Sequence, residues 1–144
     1  MSDRPTSAGG VRLAVPFFGV EDIARSARWY TEGLGFTQTR QWTPEGRLRW
    51  CWLELDDVAV MLQEYTTTES GPRPMIANPG QGVTISFQCD DALAVYHAAQ
   101  ANGLEPSRPF VGNGMWVTAL HDPDGYRLEF ESVTDVAEGT EYEG

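Results

Sequence analysis

The chain has 144 residues, enough for one domain or for two small halves that share a core, and its 41% hydrophobic content excludes a disordered chain. Its formal net charge of −11 would repel a phosphate backbone, which argues against nucleic-acid binding and suits a cationic ligand. No apolar run approaches the length of a membrane span, and residues 1–10 lack the features of a signal peptide, so we expect a cytoplasmic protein that does not bind membranes.

The first predicted elements are a strand ending at Val20 and a helix with Asp22 as its N-cap. One apolar stripe at helical spacing follows, formed by Ile23, Ala27, Tyr30 and Leu34. Gly33 and Gly35 end this helix. Three strand candidates come next, FTQTRQW, LRWCWLEL and VAVMLQEY, the last two joined by a tight turn.

The second half repeats this order, with the strand VTISFQC, a helix capped at Asp90 or Asp91, and Gly103 at the helix end. A short strand near residues 105–110, the strand MWVTAL and the strand YRLEFES follow. Matching landmarks lie at a near-constant offset, because 91 − 22 = 69 and 103 − 35 = 68.

The pattern therefore predicts an α+β fold of tandem βαβββ modules whose curved sheets form a cleft for a small ligand. The predicted organisation is a flexible arm at 1–10, a first module at 11–65, a linker at 66–82, a second module at 83–133 and a flexible tail at 134–144.

Two segments, VPFFGVEDIARSARWYTEGLGF and DPDGYRLEFE, resemble the vicinal oxygen chelate superfamily of glyoxalases, bleomycin-resistance proteins and extradiol dioxygenases. The resemblance covers residues 13–132 and implies the glyoxalase/bleomycin-resistance fold. It does not imply one activity, because this superfamily includes isomerases, epimerases, dioxygenases, thiol transferases and binding proteins.

The resemblance implies that metal ligands would come from the first and last strands of each half. The corresponding positions here are Val15, Met61, Thr84 and Glu129, of which only Glu129 suits Fe(II), Mn, Ni or Zn. Gln63, on the same predicted face as Met61, would add a second donor but not a third. We therefore predict no metal site and no cofactor, and we expect Glu129 to be a lone acid in the cleft.

The histidines and cysteines do not add ligands to this set. His97 is predicted on the second helix and His121 at a hairpin edge. Cys51 and Cys89 lie in apolar strands without a CxxC or Cys/His cluster, which is typical of buried free thiols.

Alternation along the third and fourth strands predicts which side chains face the cleft. Leu53 and Leu55 would pack on the helix, so Trp50, Trp52 and Glu54 point the other way. Met61 and Gln63 share that face, giving an aromatic platform for a planar or cationic ligand. The same alternation is also typical of a filled sheet core or a subunit interface. Trp29 and Trp116 are interpreted as structural.

The resulting hypothesis is a homodimeric small-molecule binding protein, similar to bleomycin-resistance proteins, that sequesters a hydrophobic or cationic antibiotic-like ligand without a catalytic metal. The predicted ligand-binding residues are Trp50, Trp52, Glu54, Met61, Gln63, Thr84 and Glu129. The alternative is a divergent lyase, isomerase or dioxygenase of the same superfamily. That enzyme would use Glu129 as its catalytic residue, with or without a displaced metal site.

Overall fold

Two four-stranded sheets, each with one helix, make up most of the computed structural model, which describes residues 7–65, 67–68, 71–72 and 78–144. Residues 1–6 of the predicted arm and residues 66, 69–70 and 73–77 of the predicted linker lie outside the described residues. No helix in the described part of the chain is long and apolar enough to cross a membrane.

The first sheet has the strand order β1-β4-β3-β2, with β1 parallel to β4 and the other neighbours antiparallel. Its elements in chain order are β1 (Phe17–Val20), α1 (Ile23–Arg28), a π-helical turn (Trp29–Gly33), β2 (Thr37–Trp42), a 3-10 turn (Pro44–Gly46), β3 (Trp50–Leu55) and β4 (Val58–Glu64). A short ribbon of β5 (Thr67–Thr68) and β6 (Gly71–Pro72) follows.

The second sheet repeats this topology with the order β7-β10-β9-β8. Its elements are β7 (Thr84–Gln88), α2 (Ala92–Ala101), β8 (Phe110–Gly112), β9 (Met115–His121) and β10 (Arg127–Val133). The predicted α+β fold of tandem βαβββ modules is confirmed. The strand predicted near 105–110 was misplaced, since β8 begins only at Phe110, after Pro106 and Pro109, which have no backbone N–H to donate to a ladder.

Both helices begin at aspartates that cap them. The Asp22 side chain accepts a hydrogen bond from the Arg25 amide, and Asp91 accepts one from the Ala94 amide. Each helix packs on one face of its own sheet, α1 on β3 and β4 and α2 on β9 and β10. Most of the buried apolar residues, from both halves, form one continuous cluster, whose fully buried members include Tyr30, Leu53, Leu62 and Leu128.

The turn at residues 121–126, which precedes β10, makes side-chain contacts with the first half. The Tyr30 hydroxyl donates to Asp122 Oδ2 at 2.8 Å, and both side chains are buried. Burial raises the pKa of Asp122 above its ordinary value, while the donors that bind its carboxylate, Tyr30 first among them, lower it. Burial also raises the pKa of Tyr30.

The rest of the 121–126 turn binds the segment around the start of α1. Asp124 accepts from the Glu21 amide at 2.9 Å and from the Ser26 hydroxyl at 3.1 Å. The Tyr126 ring stacks on Phe18 with centroids 4.3 Å apart, and its hydroxyl donates to the carbonyl of Gly19 at 2.8 Å. The second half therefore caps and covers the beginning of the first.

The segment after β10, for which the sequence predicts flexibility, is hydrogen-bonded along the outer side of β8. The Val111 amide donates to the carbonyl of Thr140 at 2.9 Å, and the Gly139 amide donates to the carbonyl of Val111 at 2.8 Å. The Glu138 carboxylate accepts from the amides of Asn113 and Gly114 in the β8–β9 turn.

Candidate ligand-binding face

The face of the first sheet that points away from α1 gathers the aromatic residues of β3. We call it the open face. Side chains along β3 alternate between the two faces of the sheet. Cys51 and Leu53 are fully buried, whereas Trp50 and Trp52 are only half-buried.

The pairing of β3 with β4 adds residues of β4 to the open face. The register aligns Trp50 with Gln63, Trp52 with Met61 and Glu54 with Ala59. The structure thus brings five of the seven predicted ligand-binding residues onto this face.

A β-bulge in β2 adds two residues that alternation does not predict. The pairing shifts by one between Gln38 and Arg40, so that Arg40 lies opposite Trp52 and Trp42 lies opposite Trp50. Trp42 is 55% exposed, and it extends the tryptophan pair into a row across β2 and β3. Bulges commonly re-aim side chains next to functional sites.

Glu54 is the carboxylate of the open face, and neutral donors hold it. The Trp52 indole N–H donates to Glu54 Oε2 at 2.7 Å, and the Thr39 hydroxyl donates to the same oxygen at 3.0 Å. In the described part of the chain, no Lys, Arg or His nitrogen lies within 4.0 Å of this carboxylate. Glu54 can therefore accept a positive charge from a ligand without losing an ion pair.

Arginines pair with two other strand carboxylates, Glu64 and Glu129. Glu64, at the end of β4, accepts from Arg47 and, at 3.0 Å, from Arg49. Glu129, on β10, accepts from Arg127 Nε at 3.0 Å and Nη2 at 2.7 Å. The prediction that Glu129 is a lone acid was therefore wrong, because Arg127 precedes it by two positions and shares its face of the strand.

The four positions that the resemblance implies for a metal do not fit one. Val15 lies before β1, Met61 aligns with Phe17, and Thr84 aligns with Arg127 rather than with Glu129. Valine cannot coordinate, a thioether suits soft metals only, and Glu129 is bound to an arginine. Among the described residues no group of three or more His, Cys, Asp or Glu side chains could hold a metal ion.

An apolar cavity of about 470 Å³ lies where the two halves approach each other. It is lined by the segment before β1, the start of β4 and the middle of β7, with Val15, Val58, Ile85 and Phe87 among its walls. Apolar side chains near it are exposed to solvent, namely Leu13 at 63%, Phe17 at 54% and Val83 at 57%. The surface of this region is mainly apolar, with Asp57 and Ser86 as the polar members of the lining.

The remaining candidates lie away from the open face. His97 shares a 2.8 Å hydrogen bond with the Tyr142 hydroxyl, and His121 ends β9. Burial raises the pKa of the Cys51 thiol to about 11, and it also raises that of Cys89, so neither is an activated nucleophile. The structural tryptophans meet aromatic edges, Trp29 at Tyr30 and Trp116 at Tyr142.

Comparisons with known proteins agree on the fold. A family model described as Glyoxalase/Bleomycin resistance protein/Dioxygenase superfamily matches residues 12–130. A solved glyoxalase/bleomycin resistance protein/dioxygenase from Nocardioides is 17% identical, with a TM-score of 0.66 over 92% of this chain and 91% of that one. TnmS3, an antibiotic binding protein from Streptomyces sp. CB03234, is 18% identical, with a TM-score of 0.60 over 85% and 98%. TioX from Micromonospora sp. ML1 is 18% identical, with a TM-score of 0.63 over 83% and 96%. No curated protein matches the chain.

Proposed function

The chain belongs to the glyoxalase/bleomycin resistance protein/dioxygenase superfamily, as its sequence motifs predict, and we propose that it is a small-molecule binding protein of this superfamily. Its ligand would be a hydrophobic or cationic, antibiotic-like molecule held on the open face, without a catalytic metal. One structural neighbour, TnmS3, is described as an antibiotic binding protein, which supports this class of function.

The observation that carries the proposal is the row of Trp42 and Trp50 beside Trp52, next to the carboxylate of Glu54. Flat aromatic surface favours stacking of a planar ligand, and each stacked pair contributes about 0.5–1.5 kcal/mol beyond the burial of its area. The carboxylate adds attraction for a cation. Stacking and charge attraction can bind a ligand without any proton transfer. Glu129, the acid of the enzyme alternative, is ion-paired with Arg127.

We further propose that the protein acts as a homodimer. A ligand lying on one sheet face is covered on one side only, while small-molecule sites usually bury most of the ligand surface. A second copy could supply the missing cover. The exposed apolar side chains of Leu13, Phe17 and Val83 favour association, because a solvent-exposed apolar patch is stabilised by contact with another surface.

Calorimetric titration tests the ligand proposal with two probes, bleomycin and the planar aromatic cation 9-aminoacridine. We expect Trp50→Ala or Trp52→Ala to weaken binding by about tenfold, equivalent to roughly 1.4 kcal/mol, because each removes one stacking surface. The matched control is Trp116→Phe, whose parent side chain packs against Tyr142 on the helix side of the second sheet and should leave affinity unchanged.

The same titrations separate the binding protein from the enzyme alternative. We expect affinity to survive dialysis against EDTA, because the residues at the four implied metal positions do not form a donor set. Stoichiometric Fe, Mn, Ni or Zn in the purified protein, lost in Glu129→Ala, would overturn the metal-free proposal. Wild-type affinity in both Trp50→Ala and Trp52→Ala would overturn the open face as the site.

A further inference from the structure

We propose that Arg40 is an internal occupant of the ligand site, and that the ligand displaces its guanidinium with a planar cationic group of its own. The inference rests on the proposed function of the open face and names the chemistry of the ligand more narrowly. It concerns a contact within the chain, between β2 and β3, that already binds one planar cation.

The geometry is that of a cation held over an aromatic ring. The guanidinium carbon of Arg40 lies 4.7 Å from the Trp52 ring centroid, inside the distance of about 6 Å at which cation–π attraction is significant. The Trp52 indole N–H is bonded to Glu54, which fixes the ring and places a carboxylate beside it. The indole and the carboxylate therefore form a site that already holds one planar cation, the Arg40 guanidinium.

The bulge is what brings Arg40 to this face. Before the bulge the paired residue numbers sum to 37 + 54 = 91, and after it they sum to 40 + 52 = 92. If the register before the bulge continued unchanged, Arg40 would oppose residue 91 − 40 = 51, which is the fully buried Cys51 on the helix side. That position lies on the opposite face of the sheet from Trp52, so the irregularity in β2 is what places the cation over Trp52.

Arg40 is held weakly enough to leave. It is an exposed residue of an edge strand, and in the part of the chain that the structure describes it forms no ion pair. Its cation–π contact is worth only about 0.5–1 kcal/mol at an exposed position. A larger planar cation could cover Trp50 as well as Trp52, so it gains more surface than the guanidinium gives up.

The test is Arg40→Gln, titrated with 9-aminoacridine, which is cationic at pH 8, and with acridine, a neutral ring of the same shape. Removing the competing guanidinium should tighten 9-aminoacridine binding by roughly two- to fivefold, which corresponds to about 0.5–1 kcal/mol. Acridine should bind Arg40→Gln no more tightly than wild type, because Arg40 can stack on a neutral ring instead of repelling it.

Two pairs of variants separate a local effect at the open face from a general effect of net charge. Arg28→Gln makes the same change in net charge at an exposed position of α1 and should leave both affinities unchanged. Glu54→Gln should weaken 9-aminoacridine but not acridine, whereas Glu32→Gln, in the exposed turn after α1, should weaken neither. Circular dichroism of each variant confirms that the fold is retained.

Three results decide the inference. Tighter 9-aminoacridine binding in Arg40→Gln alone supports it. Equal effects of Arg40→Gln and Arg28→Gln would overturn it, and the proposed function would still stand if Trp50→Ala weakened binding by about tenfold. Absence of 9-aminoacridine binding in both wild type and Arg40→Gln would overturn it, while bleomycin binding that is weakened in Trp50→Ala would preserve the broader proposal.

Discussion

Tyr30→Phe removes a single hydroxyl from the contact between the two halves. Tyr30 is 0% exposed, and the hydroxyl bonds the buried Asp122 carboxylate at 2.8 Å. A hydrogen bond to a charged group contributes about 1.5–3 kcal/mol, because the alternative is a charge with a missing donor. For a chain of this length we expect the melting temperature to fall by about 4–10 °C near neutral pH.

The loss in free energy of unfolding caused by Tyr30→Phe should depend on pH. The pKa of Asp122 in the folded protein is raised above its ordinary value of 3.8, so its protonation stabilises the fold in acid, and that stabilisation is lost as pH rises through the folded pKa. The Tyr30 hydroxyl holds this pKa down, so removing it raises the pKa further. As pH rises, the free energy of unfolding therefore falls more in Tyr30→Phe than in wild type. In acid, where the carboxyl is neutral, the difference between the two proteins should fall toward about 1 kcal/mol.

Guanidinium denaturation of wild type, Tyr30→Phe and Tyr96→Phe at pH 4.5, 6 and 8 measures this dependence. Tyr96→Phe is the control, because it removes a hydroxyl that accepts a hydrogen bond from the exposed Gln100 side chain. We expect its cost to be small and independent of pH. An equal cost of Tyr30→Phe at pH 4.5 and pH 8, or a cost no larger than that of Tyr96→Phe, would refute the reasoning.

Two further predictions concern packing. Gly33→Ala should lower the free energy of unfolding, measured by urea denaturation, by about 1–3 kcal/mol, because the added Cβ would lie 2.7 Å from Leu104 Cδ1. Gly9→Ala should be neutral, because no described residue lies within 4 Å of its added Cβ. Phe17→Glu should shift the proposed dimer toward monomer in sedimentation equilibrium, because it places a charge in an exposed apolar region; an unchanged mass would contradict the proposed surface.

The fold was predictable because its landmarks follow local chemistry. Asp22 and Asp91 cap helices by bonding amides three residues on, which depends on residue type alone. Gly35 and Gly103 adopt positive φ values of 87° and 85° just after each helical segment, a conformation that favours glycine. These signals occur at a near-constant offset in both halves, so the repeat could be recognised without any tertiary information.

The open face was predictable only where strands are regular. Along β3 and β4 the alternation is unbroken, so Trp50, Trp52 and Met61 could be assigned to one face. The bulge in β2 breaks that alternation without a glycine to mark it, so Trp42 and Arg40 were missed.

Other contacts differed in how far the sequence could reveal them. The pair of Arg127 and Glu129 could have been predicted, since residues two apart on a strand share a face. The contact of Asp124 with Ser26 could not, because its partners are separated by 98 residues and no local pattern links them.

The 121–126 turn has a consequence for how the chain folds during its synthesis. The hydrogen-bond acceptor of the Glu21 amide, Asp124, lies 103 positions later in the chain. The donor to the Gly19 carbonyl, Tyr126, lies 107 positions later. Until Tyr126 has been made, the ring of Phe18 has no partner to stack on from the second half. Contacts this distant in sequence form slowly, because a long loop must close before they contribute. The repeat therefore encodes one cooperative unit rather than two independent halves, and a newly made first half stays incomplete until the second emerges.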